Sequence, residues 1–408
     1  MAIGLAAGLG LGVLAHVAFG DAAWLRWAVD NVIGPAGQIF LRLLFMLVIP
    51  LIVSALALAV AELGDLSRLG RIGAKTLAYT AAVSTIAVAI AIGLVNLFEP
   101  GAGLPEELKQ GLATGAQVPA AAPATGRTGA DFIVNLVPNN VIRAMAEGDM
   151  LALMVFALLL GVGVAMAPGE PARRLEEVLR GLQDVTMWLL GLVIRLAPVG
   201  VACLVFVLAT RLGLEIFRSL AAYVGVVLLG LALQQFVVYS ASVSWLGGMS
   251  PRRFFRGVRT AMVTAFSTAS SNATLPTSLW VAEHELRLPT HVSRFVLTLG
   301  STANQNGTAL FEGVTVLFLA QLYGVDLSLA QQLTVSFICI LGGIGTAGVP
   351  AGSIPVIAMI LGLVGVPAEG IGVVLGVDRF LDMCRTAVNV TGDLAAAVVV
   401  SRGESDVA

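Results

Sequence analysis

Six apolar runs dominate the first 250 positions: 2–19, 37–63, 75–98, 132–166, 182–210 and 217–246. A membrane-spanning helix takes roughly 20 apolar residues, whereas a spanning β-strand shows about ten in alternation. These runs are long and continuous, so the pattern predicts helices. The run 132–166 is too long for one straight helix and is interrupted at Pro138 and around Glu147–Asp149, which predicts a broken element. Residues 99–130, rich in Gly, Ala, Pro and Thr with no helical period, read as one long flexible loop.

After residue 250 the pattern changes. Stretches 260–282 and 330–364 are apolar but break near their middles, at Ser270–Pro276 and Gly342–Pro350. Between them, 291–321 is interrupted at Asn304–Thr308, and the last run, 368–400, carries Asp378, Asp382, Arg385, Asn389 and Asp393. Unwound backbone at membrane depth is tolerated only where it is buried in protein or lines a cavity. Two helical hairpins with Gly/Ser/Pro tips, each paired with a polar-interrupted helix, are the pattern of an inverted-repeat transporter. There, helix ends aim their dipoles at a midplane substrate while freed carbonyls hold cations. Ordinary Pro/Gly kinks are the alternative. Three unwound motifs, together with five ionisable or amide residues on one helix, favour a binding site because intramembrane charge is costly.

Composition narrows the class. The chain of 408 residues is 58% hydrophobic and 12% charged, with mean hydropathy +0.94. A soluble protein carries about 25% charge and about 45–50% apolar residues. Soluble enzymes, nucleic-acid binders and disordered scaffolds are therefore excluded. The net charge of −2 offers no basic field to nucleic acid, and Cys203, Cys339 and Cys384 show no spacing for a disulfide framework or zinc site. The run from Ala2 to Gly20 lacks a basic n-region and a clear cleavage site, and reads as a first span rather than a signal peptide. Basic residues concentrate in loops 64–76, 167–181 and 250–259, while the intervening loops hold Asp21, Asp30, Glu99, Glu106 and Glu107. Positive-inside counting then places the N-terminus in the cytoplasm, and the chain is read as a multi-pass inner (plasma) membrane protein with both termini cytoplasmic.

On the last run, Asp378, Asp382, Arg385, Asn389 and Asp393 follow one another at intervals of 4, 3, 4 and 4, so all five share one helix face. Arg385 at this depth needs an anion. Asp382, one turn away, supplies an internal ion pair; a substrate carboxylate is the other candidate. An arginine and an aspartate beside helix N-termini complement an acidic amino acid. Arg385 would grip the side-chain carboxylate bidentately, Asp382 the ammonium, and helix N-termini the α-carboxylate.

The run DRFLDMCRTAVNVTGD (Asp378–Asp393), GSTANQNGTALFEG around Asn304–Thr308, and the tips SSNATLP and GTAGVP resemble the glutamate transporter family, the dicarboxylate/amino acid:cation symporters. FLRLLFMLVIPLIVSALALAVAELGDLSRLGRIG is similar to that family's second span and following loop. The resemblance covers nearly the whole chain, with the motifs in family order. It implies an all-α polytopic fold of eight transmembrane helices plus two re-entrant hairpins in inverted repeats, working as an elevator, and a homotrimer. A scaffold would comprise residues 1–63 and 99–210 (spans 1, 2, 4 and 5, with the flexible loop). The moving transport domain would comprise 75–98 and 217–401. Carried over by residue, the substrate site would hold Ser270, Ser271 and Asn272 of the inner tip, Gly348 and Val349 of the outer gate, and Thr308, Asp382, Arg385, Thr386 and Asn389. Cations, the only cofactors implied, would meet Gly300, Thr302, Asn304, Asn306, Gly343, Ile344, Thr346, Asn389 and Asp393. Among these, Gly300, Asn304, Asn389 and Asp393 would make a sodium site. Arg385 favours aspartate or glutamate over neutral amino acids, and Asp382 disfavours plain C4-dicarboxylates.

One departure bears on coupling. The family usually reads N-M-D-G-T where this chain reads Asn304-Gln305-Asn306-Gly307-Thr308. Asn306 lacks the charge that compensates a desolvated cation, so the sodium site built there with Val83 or Ser84 is expected to be lost. Glu312, four residues after Thr308, matches a glutamate of proton-coupled members. Desolvation favours its neutral form, so it is either a proton carrier or a carboxyl that never titrates during transport. No metal motif, nucleophile elbow or phosphate loop points to an enzyme. Asp378, Asp382 and Asp393 as an aspartyl pair are disfavoured by Arg385 among them. The other readings are a sodium-coupled neutral amino acid or C4-dicarboxylate carrier, and an anion-conducting channel.

Overall fold

A computed structural model describes residues 2–20, 22–63, 70–102, 137–147, 150–167, 169–212, 215–345, 353–367 and 370–404. Among the described residues the structure is helical and contains no strand. In chain order the helices are α1 (Ala2–Phe19), α2 (Ala23–Ala28), α3 (Gly34–Phe45), α4 (Val48–Leu63), α5 (Gly70–Phe98), α6 (Val141–Glu147), α7 (Met150–Met166) and α8 (Glu170–Leu212). They continue as α9 (Glu215–Leu233), which runs on through wider π turns to Leu246. Then come α10 (Pro251–Thr268), α11 (Ser271–Trp280), α12 (Thr290–Ala303), α13 (Asn306–Leu322), α14 (Leu329–Gly345), α15 (Ile354–Leu363) and α16 (Ile371–Ser401). Among the described residues, five helical stretches are long and apolar enough to cross a membrane: Ala23–Leu58, Arg71–Phe98, Glu170–Thr210, Arg218–Leu246 and Ile371–Ser401.

Several boundaries differ from the hydropathy reading. The expected loop 167–181 is mostly the first turns of α8, which runs on through Pro198. Its polar start is held by exposed pairs at four-residue spacing, Arg174–Glu170 at 2.7 Å and Arg180–Glu176 at 2.8 Å. Each such pair stabilises a helix by about 0.3–0.5 kcal/mol, and a search for apolar runs cannot see it. Likewise 23–45, taken in part as a loop, is helical throughout, a π turn at Val29–Ile33 joining α2 to α3. The break expected within 132–166 lies between α6 and α7. Of the long loop 99–130, residues 103–130 lie outside the described residues.

The unwound motifs are narrower than expected. α10 buries Phe254, Gly257, Val258, Ala261 and Ala265, at helical spacing, and exposes Arg252, Arg253, Arg256 and Arg259. It stops at Ala269, whose φ of +50° is left-handed, and Ser270 is extended. The Ser270 hydroxyl then accepts from the Ala273 N–H at 3.2 Å, capping α11, which continues through Pro276. An N-cap of this kind is worth about 1 kcal/mol. The second break is confined to Asn304 and Gln305 (φ −109° and −95°), because the backbone turns helical again at Asn306.

Two sets of helices pack chiefly among themselves. α1 lies along α8, and α3, α4 and α7 complete that group. An added Cβ at Gly8 or Gly12 would come within 2.6 Å of Ala202 O or Ala209 Cβ, so glycine lets the two backbones touch. In the second set α13 is buried from Asn306 to Ala320, surrounded by α5, α9, α14, α15 and α16. α16 also packs on α10 and α12.

A polar clasp ties the end of α16 to this set. The Arg71 Nη2 donates to both Glu404 carboxylate oxygens at 2.7 Å, and Lys75 Nζ donates at 3.0 Å. The Arg402 Nη1 donates to the Trp245 and Leu246 carbonyls at 2.9 and 3.0 Å. Hydrogen bonds from Lys75 and Arg71 hold the Glu404 carboxyl below the usual carboxylate range. Its contribution is therefore present above that range and disappears as pH falls through the lowered value. Glu404→Gln is expected to lower the melting temperature slightly at neutral pH and not at all in strong acid, as read by thermal melts in detergent.

Candidate functional site

The site forms where the α12–α13 break meets α16. Asp378, Asp382, Arg385, Thr386, Asn389 and Asp393 are all buried on α16, as their shared spacing predicts. Arg385 donates through Nε to Asp382 Oδ1 at 3.0 Å, and its Nη2 lies 2.9 Å from the same oxygen. Its Nη1 reaches Asp378 Oδ1 at 3.5 Å. The guanidinium carbon sits 4.4 Å from the centroid of the buried Phe311 ring, a cation–π contact that fixes the plane of the fork. The internal ion pair weighed from the sequence is thus present, with Asp378 as a second carboxylate. Arg379 is half-exposed, and its Nη1 lies 3.9 Å from Asp382 Oδ2. These contacts engage Nε, Nη2 and Nη1 each once, and a guanidinium carries five N–H donors.

Next along α16, Asn389 ties the break together. Its Oδ1 accepts from the Gly307 and Thr308 N–H groups at 2.7 and 3.3 Å, satisfying donors at the start of α13. Its Nδ2 donates to Gln305 Oε1 at 2.5 Å and to Thr308 Oγ1 at 3.0 Å. Gln305 in turn donates through Nε2 to the Ser301 carbonyl at 2.9 Å. Further on, Asn304 Nδ2 donates to Asp393 Oδ1 at 3.0 Å. Gly300 leaves room for that carboxylate, since a Cβ there would lie 2.6 Å from Asp393 Oδ1.

Asn306 points the other way. Its Nδ2 donates to Ser84 Oγ at 2.8 Å and its Oδ1 accepts from the Tyr239 hydroxyl at 3.2 Å. Of the two residues considered opposite it, Ser84 makes the contact. Gly392 permits the approach of Tyr239: a Cβ at 392 would sit 2.5 Å from its hydroxyl and 2.9 Å from Asn306 Oδ1. Gly392→Ala is expected to destabilise the fold by about 1–3 kcal/mol through overpacking. The check is the unfolding midpoint, and Tyr239→Phe in the same chain should recover part of the loss.

The remaining expected residues are placed less fully. Ser270 and Ser271 are buried at the start of α11 and Asn272 is exposed. Thr302 turns its hydroxyl to its own helix, donating to the Leu299 carbonyl at 3.0 Å. Gly343 lies against the break, a Cβ there falling 3.3 Å from the Gln305 carbonyl, and Ile344 is in the last turn of α14. Thr346, Gly348 and Val349 lie outside the described residues. Glu312 is fully buried on α13, against the bare backbone of Gly342, where a Cβ would be 3.2 Å from Glu312 Oε2. Phe311, Tyr239 and the bonding of Gln305 were not among the expected site residues. Tyr239 could have been suspected as a hydroxyl inside the apolar run 217–246.

Residues 1–403 match the sequence profile of the sodium:dicarboxylate symporter family. The chain is 36% identical to the proton/glutamate-aspartate symporter of Escherichia coli (strain K12), over 93% of this chain and 86% of that protein. It is 33% identical to the proton/sodium-glutamate symport protein of Geobacillus stearothermophilus, over 98% and 95% of the two chains. A C4-dicarboxylate transport protein of Bacillus subtilis (strain 168) is 30% identical over 97% and 93%. These relatives are transporters and not enzymes. By profile and by relatives alike, this chain belongs to the sodium:dicarboxylate symporter family, whose members are cation-coupled membrane carriers of glutamate and dicarboxylates.

Proposed function

We propose that the protein is a secondary active transporter of aspartate and glutamate in the inner membrane, with both termini cytoplasmic. The observation that carries this reading is the buried Arg385, held ready on Phe311 and flanked by Asp382. A fork-shaped cation and a carboxylate on one face fit a substrate bearing both an extra carboxylate and an ammonium. Thr308, Thr386 and Asn389 would supply further polar contacts, with Ser270, Ser271 and Asn272 at one tip and Gly348 and Val349 at the other. The separate packing of the α1/α3/α4/α7/α8 group supports an elevator. In it the scaffold (1–63, 99–210) stays fixed while 75–98 and 217–401 move through two re-entrant hairpins, within a homotrimer.

Coupling in this proposal has moved from sodium toward protons. Asn306, bonded to Ser84 and Tyr239, is neutral and lacks the charge that compensates a desolvated cation. Asp393 with Asn304, Gly300 and Asn389 retains a donor set suited to sodium, and Thr302 with the carbonyls near Gly343–Thr346 a second. Glu312 would carry the proton. Uptake of labelled aspartate into proteoliposomes, with sodium and pH gradients imposed separately, tests both parts. Accumulation driven by the pH gradient is expected; uptake that needs sodium and ignores pH would refute proton coupling. The C4-dicarboxylate relatives favour a second reading, a dicarboxylate carrier, for which succinate would compete with aspartate at equal affinity.

A further inference from the structure

In broken membrane helices, the carbonyls freed at the C-terminal end of the first half are where coupling cations are held. At the α12–α13 break one such carbonyl, Ser301 O, is taken by a side-chain donor, the Gln305 Nε2 at 2.9 Å. The other end of the same carboxamide, Oε1, receives Asn389 Nδ2 at 2.5 Å and the Thr308 hydroxyl at 3.4 Å. Gln305 is buried, and its neighbour Asn306 is a neutral amide paired with Ser84 and Tyr239. One carboxamide therefore caps a helix-end carbonyl and orients two residues of the candidate substrate site, tasks that a bound ion would otherwise perform.

We propose that Gln305 is a tethered substitute for a coupling cation: a positioning residue that holds Asn389 and Thr308 in place and keeps the Ser301 carbonyl from requiring an ion. Because the amide is part of the chain, its occupancy does not vary with ion concentration, and the polar groups it orients are pre-organised. Asn306, the next residue, is neutral and turned to Ser84 and Tyr239, so it brings no further carboxylate to draw a cation to that carbonyl. The inference rests on the acidic amino acid reading for its substrate readout, but not for its ion readout.

The test restores the ion requirement in two steps. Melting temperature and L-aspartate affinity are measured on purified protein in sodium chloride and in choline chloride, for the wild type, Gln305→Leu, Asn306→Asp and the double variant. Gln305→Leu is expected to weaken aspartate binding about tenfold in both salts, as two oriented groups are released with nothing to replace the amide. Asn306→Asp alone is expected to gain little stabilisation by sodium, because the amide still covers Ser301 O. The double variant is expected to gain a clear sodium-dependent rise in melting temperature and to recover affinity in sodium only. The proposal is overturned if Asn306→Asp alone responds to sodium as fully as the double variant. It is equally overturned if the double variant shows no response, or if Gln305→Leu binds aspartate as the wild type does. Gln305→Met, unbranched, repeats the series should the leucine variants fold poorly. A wild type that binds no aspartate would refute the substrate reading, and the melting series would still decide the role of Gln305.

Discussion

Replacing Arg385 with cysteine is expected to reduce aspartate and glutamate affinity by about 30-fold to 4,000-fold. Truncating one partner of a buried, hydrogen-bonded charge pair costs roughly 2–5 kcal/mol, and each 1.4 kcal/mol is about a factor of ten. Arg385 has no substitute in this position. Arg379 is half-exposed and 3.9 Å from Asp382, with nothing that places it on Phe311. The variant also leaves Asp378 and Asp382 facing each other without their shared cation, a loss of the kind that costs about 3–5 kcal/mol of stability. A comparison of Arg385→Cys with Arg385→Lys separates the two effects. Lysine restores charge but not the planar fork, so it should recover stability more than affinity. Equilibrium binding of labelled aspartate is the measurement, and unchanged affinity in the cysteine variant would sink the acidic-substrate assignment.

The second large effect is expected at Glu312. Glu312→Gln keeps shape and volume but cannot exchange a proton, so uptake driven by a pH gradient should fall to background. Exchange of internal for external aspartate, which needs no net proton movement, should continue. That split distinguishes a proton carrier from a packing residue, whose loss would depress both. The isosteric amide is the right probe because it keeps the shape of a side chain packed so closely that a Cβ at Gly342 would lie 3.2 Å from its Oε2. Concentrative, pH-driven uptake by Glu312→Gln at the wild-type rate would show that the carboxyl never titrates in the cycle.

Spans that are apolar from end to end were legible, because hydropathy records them directly; 75–98 falls within α5 and 217–246 within the helical stretch from Glu215. The polar first turns of α8 were not, since Arg174–Glu170 and Arg180–Glu176 stabilise a helix without apolar residues. The shared face from Asp378 to Asp393 followed from spacing alone, because helical period fixes which side chains are neighbours. The extent of the breaks did not follow. Pro276 and Gly307 look like disruptors in sequence, yet both lie within helices once Ser270 and Asn389 have satisfied the nearby N–H groups. The partners of Gln305 and Asn306 were equally hidden. Pairing Asn306 with Ser84 spans 222 positions, and no local pattern reports such a contact.

The bond from Gly307 to Asn389 also sets an order of assembly. Eighty-two positions separate its partners, and at about 5–20 residues per second that distance is roughly 4–16 s of synthesis. During that interval α13 and the break before it exist with Thr308 and Asn304 made but without Asn389 and Asp393, their partners on α16. Those polar groups must wait in or beside the insertion machinery rather than in lipid, where unsatisfied groups are costly. The candidate site is thus among the last parts of the molecule to form, and a ribosome stalled before α16 would leave behind a chain with its earlier helices made but without Arg385, Asn389 and Asp393.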